Sequence, residues 1–148
     1  MIRGYFATAG TRRRPFVDAV FYFPAVNATL ELRLLVDSGA DRTICGTAHA
    51  HLLHTDLGID LTALPRGQPS TGVGGQTATR IIEAVLTLDT LALPLTLTIL
   101  DSPTAPGTLP VPSLLGRDII SHFALFLEER TNRVLLLEPN EADALNLA

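Results

Sequence analysis

The sequence predicts an all-β chain with one or two short helices, and three observations carry that reading. Ten Pro and eleven Gly in 148 residues cut the chain into short segments, which suits strands and turns better than long helices. Between those breaks lie runs of β-branched or alternating apolar residues of strand length. Almost half the residues are hydrophobic but only 5% are aromatic, so the core is expected to be Leu, Val, Ile and Ala. The length fits one domain, residues 1–148, long enough for one substantial core.

The elements follow in order. Residues 1–10 form a short mixed segment ending at Gly10, suited to an edge or interface strand. Arg12-Arg13-Arg14 read as a solvated turn, and Pro15 opens a strand from Phe16 to Phe23 that Pro24 stops. Asn27-Ala28 turns the chain. Thr29 to Val36 first alternates with period two and then becomes wholly apolar, the pattern of a strand that starts half exposed and ends buried. Residues 47–57 suit a short helix capped by Thr47 and closed by Gly58. Pro65, Gly67 and Pro69 mark a loop, and Ser70 to Gln76 a Gly-rich tip, followed by a long strand over 77–88. Asp89-Thr90 leads to a second alternating strand through Leu93, Leu95, Leu97 and Ile99. Pro103 to Pro112 is Pro-rich and extended. Ser113 to Phe123 reads as a strand end, a Gly turn and one or two helical turns. Two strands, 124–128 and 134–138, flank a hairpin loop, and the tail from Pro139 suits a frayed end or short helix.

Charge and composition narrow the function classes. A net charge of −4 gives no electrostatic footprint for nucleic acid. A single Cys45 excludes an internal disulfide and fits a reducing compartment. No apolar stretch has the length of a membrane span, and no apolar run follows Arg3 in the manner of a signal peptide. The expectation is a cytoplasmic protein without a membrane or nucleic-acid partner.

The stretch with chemical content is Leu34-Leu35-Val36-Asp37-Ser38-Gly39-Ala40-Asp41. A carboxylate at the buried end of an apolar strand is costly unless it is paired, hydrogen-bonded or functional. Gly39 lets backbone N–H groups come close to it, and Ser38 adds a short hydroxyl. The bland alternative is an ordinary Asp-Ser-Gly turn, but the Leu-Leu-Val flank is not that of a surface turn. A second stretch, Gly72-Val73-Gly74-Gly75, lacks the Lys-Ser/Thr of a phosphate loop and precedes a strand. It suits either a hairpin tip or a mobile flap over a ligand. A third, Leu114-Leu115-Gly116-Arg117-Asp118, reads as a strand end and helix start. If Arg117 is buried it needs an acidic partner, and Asp41 is available.

In this order the three stretches resemble the pattern of the retroviral-type aspartic proteases, the retropepsins, over roughly residues 16–138. The resemblance implies an all-β retropepsin-like barrel with a flap hairpin. It implies Asp37 as catalytic carboxylate, with Ser38, Gly39 and Ala40 completing the active-site turn. Ser38 would interlock the two turns of a dimer, and Gly39 would donate its N–H to substrate. Asp41 and Arg117 match the structural ion pair between turn and late helix. Gly72, Val73, Gly74 and Gly75 match the flap, and Leu35, Pro112 and Leu114 fall where the family lines its pockets. The implied activity is hydrolysis of an extended polypeptide by an aspartate dyad, without cofactor or metal. Because the chain holds one Asp-Ser-Gly, the second aspartate would come from a twofold-related copy in a homodimer. Apolar pocket residues suggest cleavage between hydrophobic side chains. Two departures stand out: a longer stretch with a helix between Asp37 and the flap, and ten residues beyond the last hairpin.

Two other readings fit the sequence. One is a non-catalytic dimer of the same fold that binds peptides or serves assembly. The other is a metal site at His49, His51 and His54. His51 and His54 have i,i+3 spacing, but no Cys or Glu stands beside them at ligand spacing, and an exposed helix face explains them equally. Cys45 is expected to be buried packing.

Overall fold

A computed structural model describes residues 1–72, 75–102, 106–107 and 109–147. The strands are β1 (Ile2–Ala9), β2 (Arg12–Phe23), β3 (Ala28–Val36) and β4 (Ile44–Cys45). After helix α1 (Ala50–Thr55) and a 3₁₀ turn at Leu61–Ala63 come β5 (Ser70–Gly72), β6 (Gly75–Thr77), β7 (Thr79–Leu88) and β8 (Leu91–Leu100). The chain ends in β9 (Leu114–Leu115), helix α2 (Arg117–Ile120), β10 (Ala124–Glu128), β11 (Arg133–Leu137) and helix α3 (Pro139–Ala144). The main sheet has the order β10-β11-β1-β2-β3-β9-β4-β8-β7, and a further β2–β7 pairing closes six of these strands into a barrel. This is the all-β architecture expected from the sequence. Among the described residues no helix is long and apolar enough to cross a membrane.

Period-two patterning explains the barrel. In β3, Leu30, Leu32, Leu34 and Val36 face inward and are buried, while Glu31 and Arg33 face out. Phe21 and Phe23 from β2, Leu86 from β7 and Leu97 and Ile99 from β8 meet them with no exposed surface. Truncating such a side chain, for example Leu34→Ala, costs about 2–5 kcal/mol through lost transfer energy and the cavity left behind. The last turn of β3 departs from expectation. Leu35 remains half-buried despite its apolar neighbours, because alternation places it on the outer face with Arg33.

Two local assignments change. Arg12-Arg13-Arg14 are strand, not turn: they pair with Ala9, Thr8 and Ala7 of β1. The turn is Gly10-Thr11, and the exposed arginines are the solvated edge of β2. Helix α1 begins at Ala50 with His49 as N-cap and no side-chain cap. Thr47 instead accepts the Val111 N–H at 2.8 Å, which ties the helix approach to the Pro-rich segment. The closing signal is as read. Gly58 has φ +68°, and its N–H donates to His54 O at 2.9 Å while Ile59 N–H donates to Leu53 O at 2.9 Å.

Candidate active site

The barrel's crossover delivers Asp37. Strands β3 and β9 run parallel with Leu35 beside Leu114 and Val36 beside Leu115. Leu35 N–H donates to Ser113 O at 2.9 Å and Asp37 N–H donates to Leu115 O at 3.1 Å. Both strands therefore end at the same level, with Asp37 leaving one and Gly116 the other. A Cβ on Gly116 would collide with the Arg42 carbonyl, so only glycine permits this approach. Strand β4 then passes β9 on its other side, Ile44 against Leu114.

The turn itself is ordered by its own backbone. Gly39 N–H donates to Asp37 Oδ1 at 2.9 Å, and Ala40 N–H donates to Asp37 O at 3.2 Å. Asp37 is half-buried, while Ser38 and Gly39 are exposed. The carboxylate is thus held from behind by the barrel and open in front. Its neighbours bind the late helix: Arg117 N–H donates to Ala40 O at 2.8 Å and Asp118 N–H to Asp41 O at 3.1 Å.

The expectation of a buried Arg117 does not hold. Its guanidinium is 64% exposed and stands 3.9 Å from Asp41, which is 89% exposed. That geometry is a loose surface contact. The tie between turn and helix is carried by Asp118, which accepts the Thr43 N–H at 2.9 Å and the Thr43 hydroxyl at 2.7 Å. Thr43 is wholly buried, and its hydroxyl also accepts the Gly116 N–H at 3.1 Å. Thr43 follows the first motif and Asp118 ends the third, but only the fold sets them face to face.

The Gly-rich stretch forms a separate hairpin. Strands β5 and β6 pair Ser70 with Thr77 and Gly72 with Gly75. Val73 and Gly74 lie outside the described residues. The hairpin's root is well fixed. Gly67 N–H donates to Thr79 O at 3.1 Å, Ile81 N–H to Pro65 O at 3.0 Å, and the Thr79 hydroxyl to Gln68 O at 2.8 Å. The truly sequestered guanidinium belongs to Arg80, whose side chain is 12% exposed. It donates to Asp101 at 2.9 Å and to Leu64 O at 3.0 Å.

Beside the turn lies a groove of about 590 Å³ that includes Leu35, Pro112, Phe16 and His49. Leu114 neighbours Leu35 in the parallel pair but is not among the groove's lining residues. His49 Nδ1 is 2.8 Å from the hydroxyl of buried Ser113. Burial, followed by the charges of His51 and Arg33, lowers the His49 pKa. His51 and His54 stay on the exposed side of α1, and among the described residues no three His, Cys, Asp or Glu side chains converge. Cys45 is buried in β4, and desolvation pushes its pKa up to about 12.

No family model and no curated protein matches the sequence. Solved structures do match the fold. An EIAV protease complexed with the inhibitor HBY-793 is 22% identical with a TM-score of 0.51, covering 78% of this chain and 92% of its own. A retropepsin-like aspartic protease from Rickettsia conorii is 18% identical with a TM-score of 0.55, covering 81% and 88%. The retroviral protease-like domain of Ddi1 from Leishmania major is 16% identical with a TM-score of 0.45, covering 85% and 97%. With the parallel β3–β9 pair behind Asp37 and the six-stranded barrel, the chain has the retropepsin-like fold.

Proposed function

We propose that the protein is an aspartic endopeptidase whose site is assembled from two copies of the chain, each contributing Asp37. The observation that carries this reading is the Asp37 turn. It presents one half-buried carboxylate and an exposed Ser38-Gly39 edge, backed by rigid parallel strands. Half of a two-carboxylate site would be built in this way, with its open side toward a twofold axis.

The chemistry follows from bringing two carboxyls together. Like charges in contact cannot both ionise, so the pair shares one proton. The ionised Asp37 takes a proton from water as the water oxygen attacks the scissile carbonyl carbon. The protonated Asp37 of the other copy gives its proton to the carbonyl oxygen, so that a neutral tetrahedral gem-diol forms. The first Asp37, now carrying the proton taken from water, gives it to the amide nitrogen while the second takes a proton from a gem-diol hydroxyl; the C–N bond breaks, a carboxylic acid and an amine leave, and the pair again holds one proton. Water supplies the nucleophile directly, so no covalent acyl-enzyme forms.

The remaining residues support substrate and geometry. Ser38 interlocks the two turns, and Gly39 offers its backbone to an extended polypeptide. Residues Gly72, Val73, Gly74 and Gly75 close over that polypeptide as a flap, adding strand-like hydrogen bonds. Leu35, Pro112 and Leu114 contribute apolar contacts beside the scissile bond. Asp41 and Arg117, loosely paired in one chain, join turn and helix more closely once a second copy excludes water from them.

A peptide-library digest with wild type and Asp37→Asn, each checked for native circular dichroism, tests the activity. Cleavage by wild type alone supports it. Cleavage by both removes Asp37 from the mechanism. Cleavage by neither favours a non-catalytic peptide-binding dimer.

A further inference from the structure

The groove beside Asp37 is apolar on its floor and cationic on its walls. Phe16, Leu35 and Pro112 supply the floor. Arg12, Arg14 and Arg33 line it together with His49, and no carboxylate does so. Among the described residues none of these three arginines makes an ion pair. Unpaired positive charge around an apolar floor is a poor site for a wholly hydrophobic side chain. It suits one that ends in a negative charge.

Arg33 is the informative residue. Strand alternation places Arg33 and Leu35 on one face of β3, and Asp37 follows directly after the end of the strand. Directly across the sheet stands Asp18, the natural counter-ion. Asp18 instead accepts the Tyr5 hydroxyl at 2.7 Å. The Arg33 guanidinium lies over the Phe16 ring, 4.1 Å from its centroid, and lines both this groove and a neighbouring hollow that holds Asp18, Glu31 and Asp89. Stacking fixes the plane of a guanidinium while leaving its N–H edge free to meet a carboxylate.

His49 adds a second donor. The Gly46 N–H donates to Ser113 Oγ at 3.0 Å, and His49 Nδ1 lies 2.8 Å from the same oxygen; in one tautomer the hydroxyl donates to Nδ1. The neutral ring then carries its own proton on Nε2. Burial favours that neutral form. In that tautomer an N–H donor lines the groove together with Arg33.

We propose that this groove is a subsite for an acidic side chain of the substrate, with the Arg33 guanidinium as principal counter-charge and His49 Nε2–H as second donor. The methylene groups of a glutamate would lie on Phe16 and Leu35. Arg33 and Asp37 are four residues apart, about 13 Å along the strand, and an extended peptide advances by the same rise. The acidic residue therefore falls about four positions from the scissile bond. This inference rests on the peptidase reading and narrows it: apolar residues flank the cleaved bond and an acidic one follows nearby.

The test uses wild-type protein and decapeptides made uncleavable by a reduced central amide, with Glu or Gln placed at each position in turn. Binding is measured by fluorescence anisotropy. The expected result is one position at which Glu binds about tenfold more tightly than Gln, the scale of a charge-assisted contact. Arg33→Gln should bring that ratio to about one, and Arg33→Glu should favour a Lys peptide instead. Equal binding of the Glu and Gln peptides to wild type overturns the proposal. So does a preference that survives Arg33→Gln, or no binding of either peptide. The wild-type comparison decides even if an Arg33 variant fails to fold. Parallel digestion of the ordinary peptides separates the two claims: a Glu preference without cleavage removes only the peptidase, and cleavage without a Glu preference removes only the subsite.

Discussion

Asp118 grips Thr43. One carboxylate on α2 accepts both the backbone N–H and the hydroxyl of a wholly buried threonine that follows the Asp37 turn. The same threonine hydroxyl receives the Gly116 N–H. Turn, crossing strand and helix are therefore joined at one point.

Removing the Asp118 side chain would strand the Thr43 donors in the interior. Asp118→Ala should lower stability by roughly 2–4 kcal/mol, since each buried unsatisfied group costs about 1–3 kcal/mol. Arg117→Ala should change the stability of the isolated chain very little, because its contact with Asp41 is long and exposed. Urea denaturation of the two variants side by side checks the contrast. Equal losses would return the anchoring role to Arg117.

Arg80 fixes the root of the β5–β6 hairpin through Asp101 and the Leu64 carbonyl. Arg80→Ala leaves Asp101 without its cation, and a loss of roughly 2–3 kcal/mol is expected for a partly buried, charge-assisted contact. Amide hydrogen exchange should quicken first in residues 66–68 and 79–81, at the root of the hairpin. Uniform acceleration across the barrel would contradict a local role.

These two results bear on what a sequence can reveal. The strand ending at Asp37, the Gly-rich hairpin and the Leu-Leu-Gly segment were legible because each is local: period-two patterning and glycine chemistry act over a few residues. The roles of Asp118, Arg80 and Ser113 were not. Each depends on a partner far along the chain, such as Thr43 for Asp118, and no periodicity encodes that distance. The three arginines at 12–14 were misplaced because charge hid a strand whose exposed edge tolerates it. Thr47 was read as a helix cap because it had the right residue type, yet Val111 holds it.

Cys45 should be chemically silent in the native protein. Its thiol is buried and its pKa pushed up to about 12, so iodoacetamide at pH 8 should label it only after unfolding. The sign of the stability effect follows. An unfolded thiol ionises near pH 8.5, about the ordinary value, while the folded one stays protonated toward pH 12. Between those values the folded state binds more protons, so stability falls as pH rises. The Tyr5 pKa, raised by burial and then by Asp18, adds to the same trend at higher pH. All eleven basic residues are arginine, so no lysine titration obscures the window. Urea midpoints at pH 8 and pH 10 should differ less in Cys45→Ala than in wild type. An unchanged difference would show that the thiol ionises freely in the fold.

The central claim is that two chains share one site, and mixing tests it most directly. Wild type and Asp37→Asn are combined in varying ratio at fixed total concentration, equilibrated, and assayed on a cleavable peptide. If only dimers with two native Asp37 residues turn over, activity follows the square of the wild-type fraction, and an equimolar mixture keeps about a quarter of the activity. Activity proportional to the wild-type fraction, about half in that mixture, would show that each chain works alone and would contradict the account.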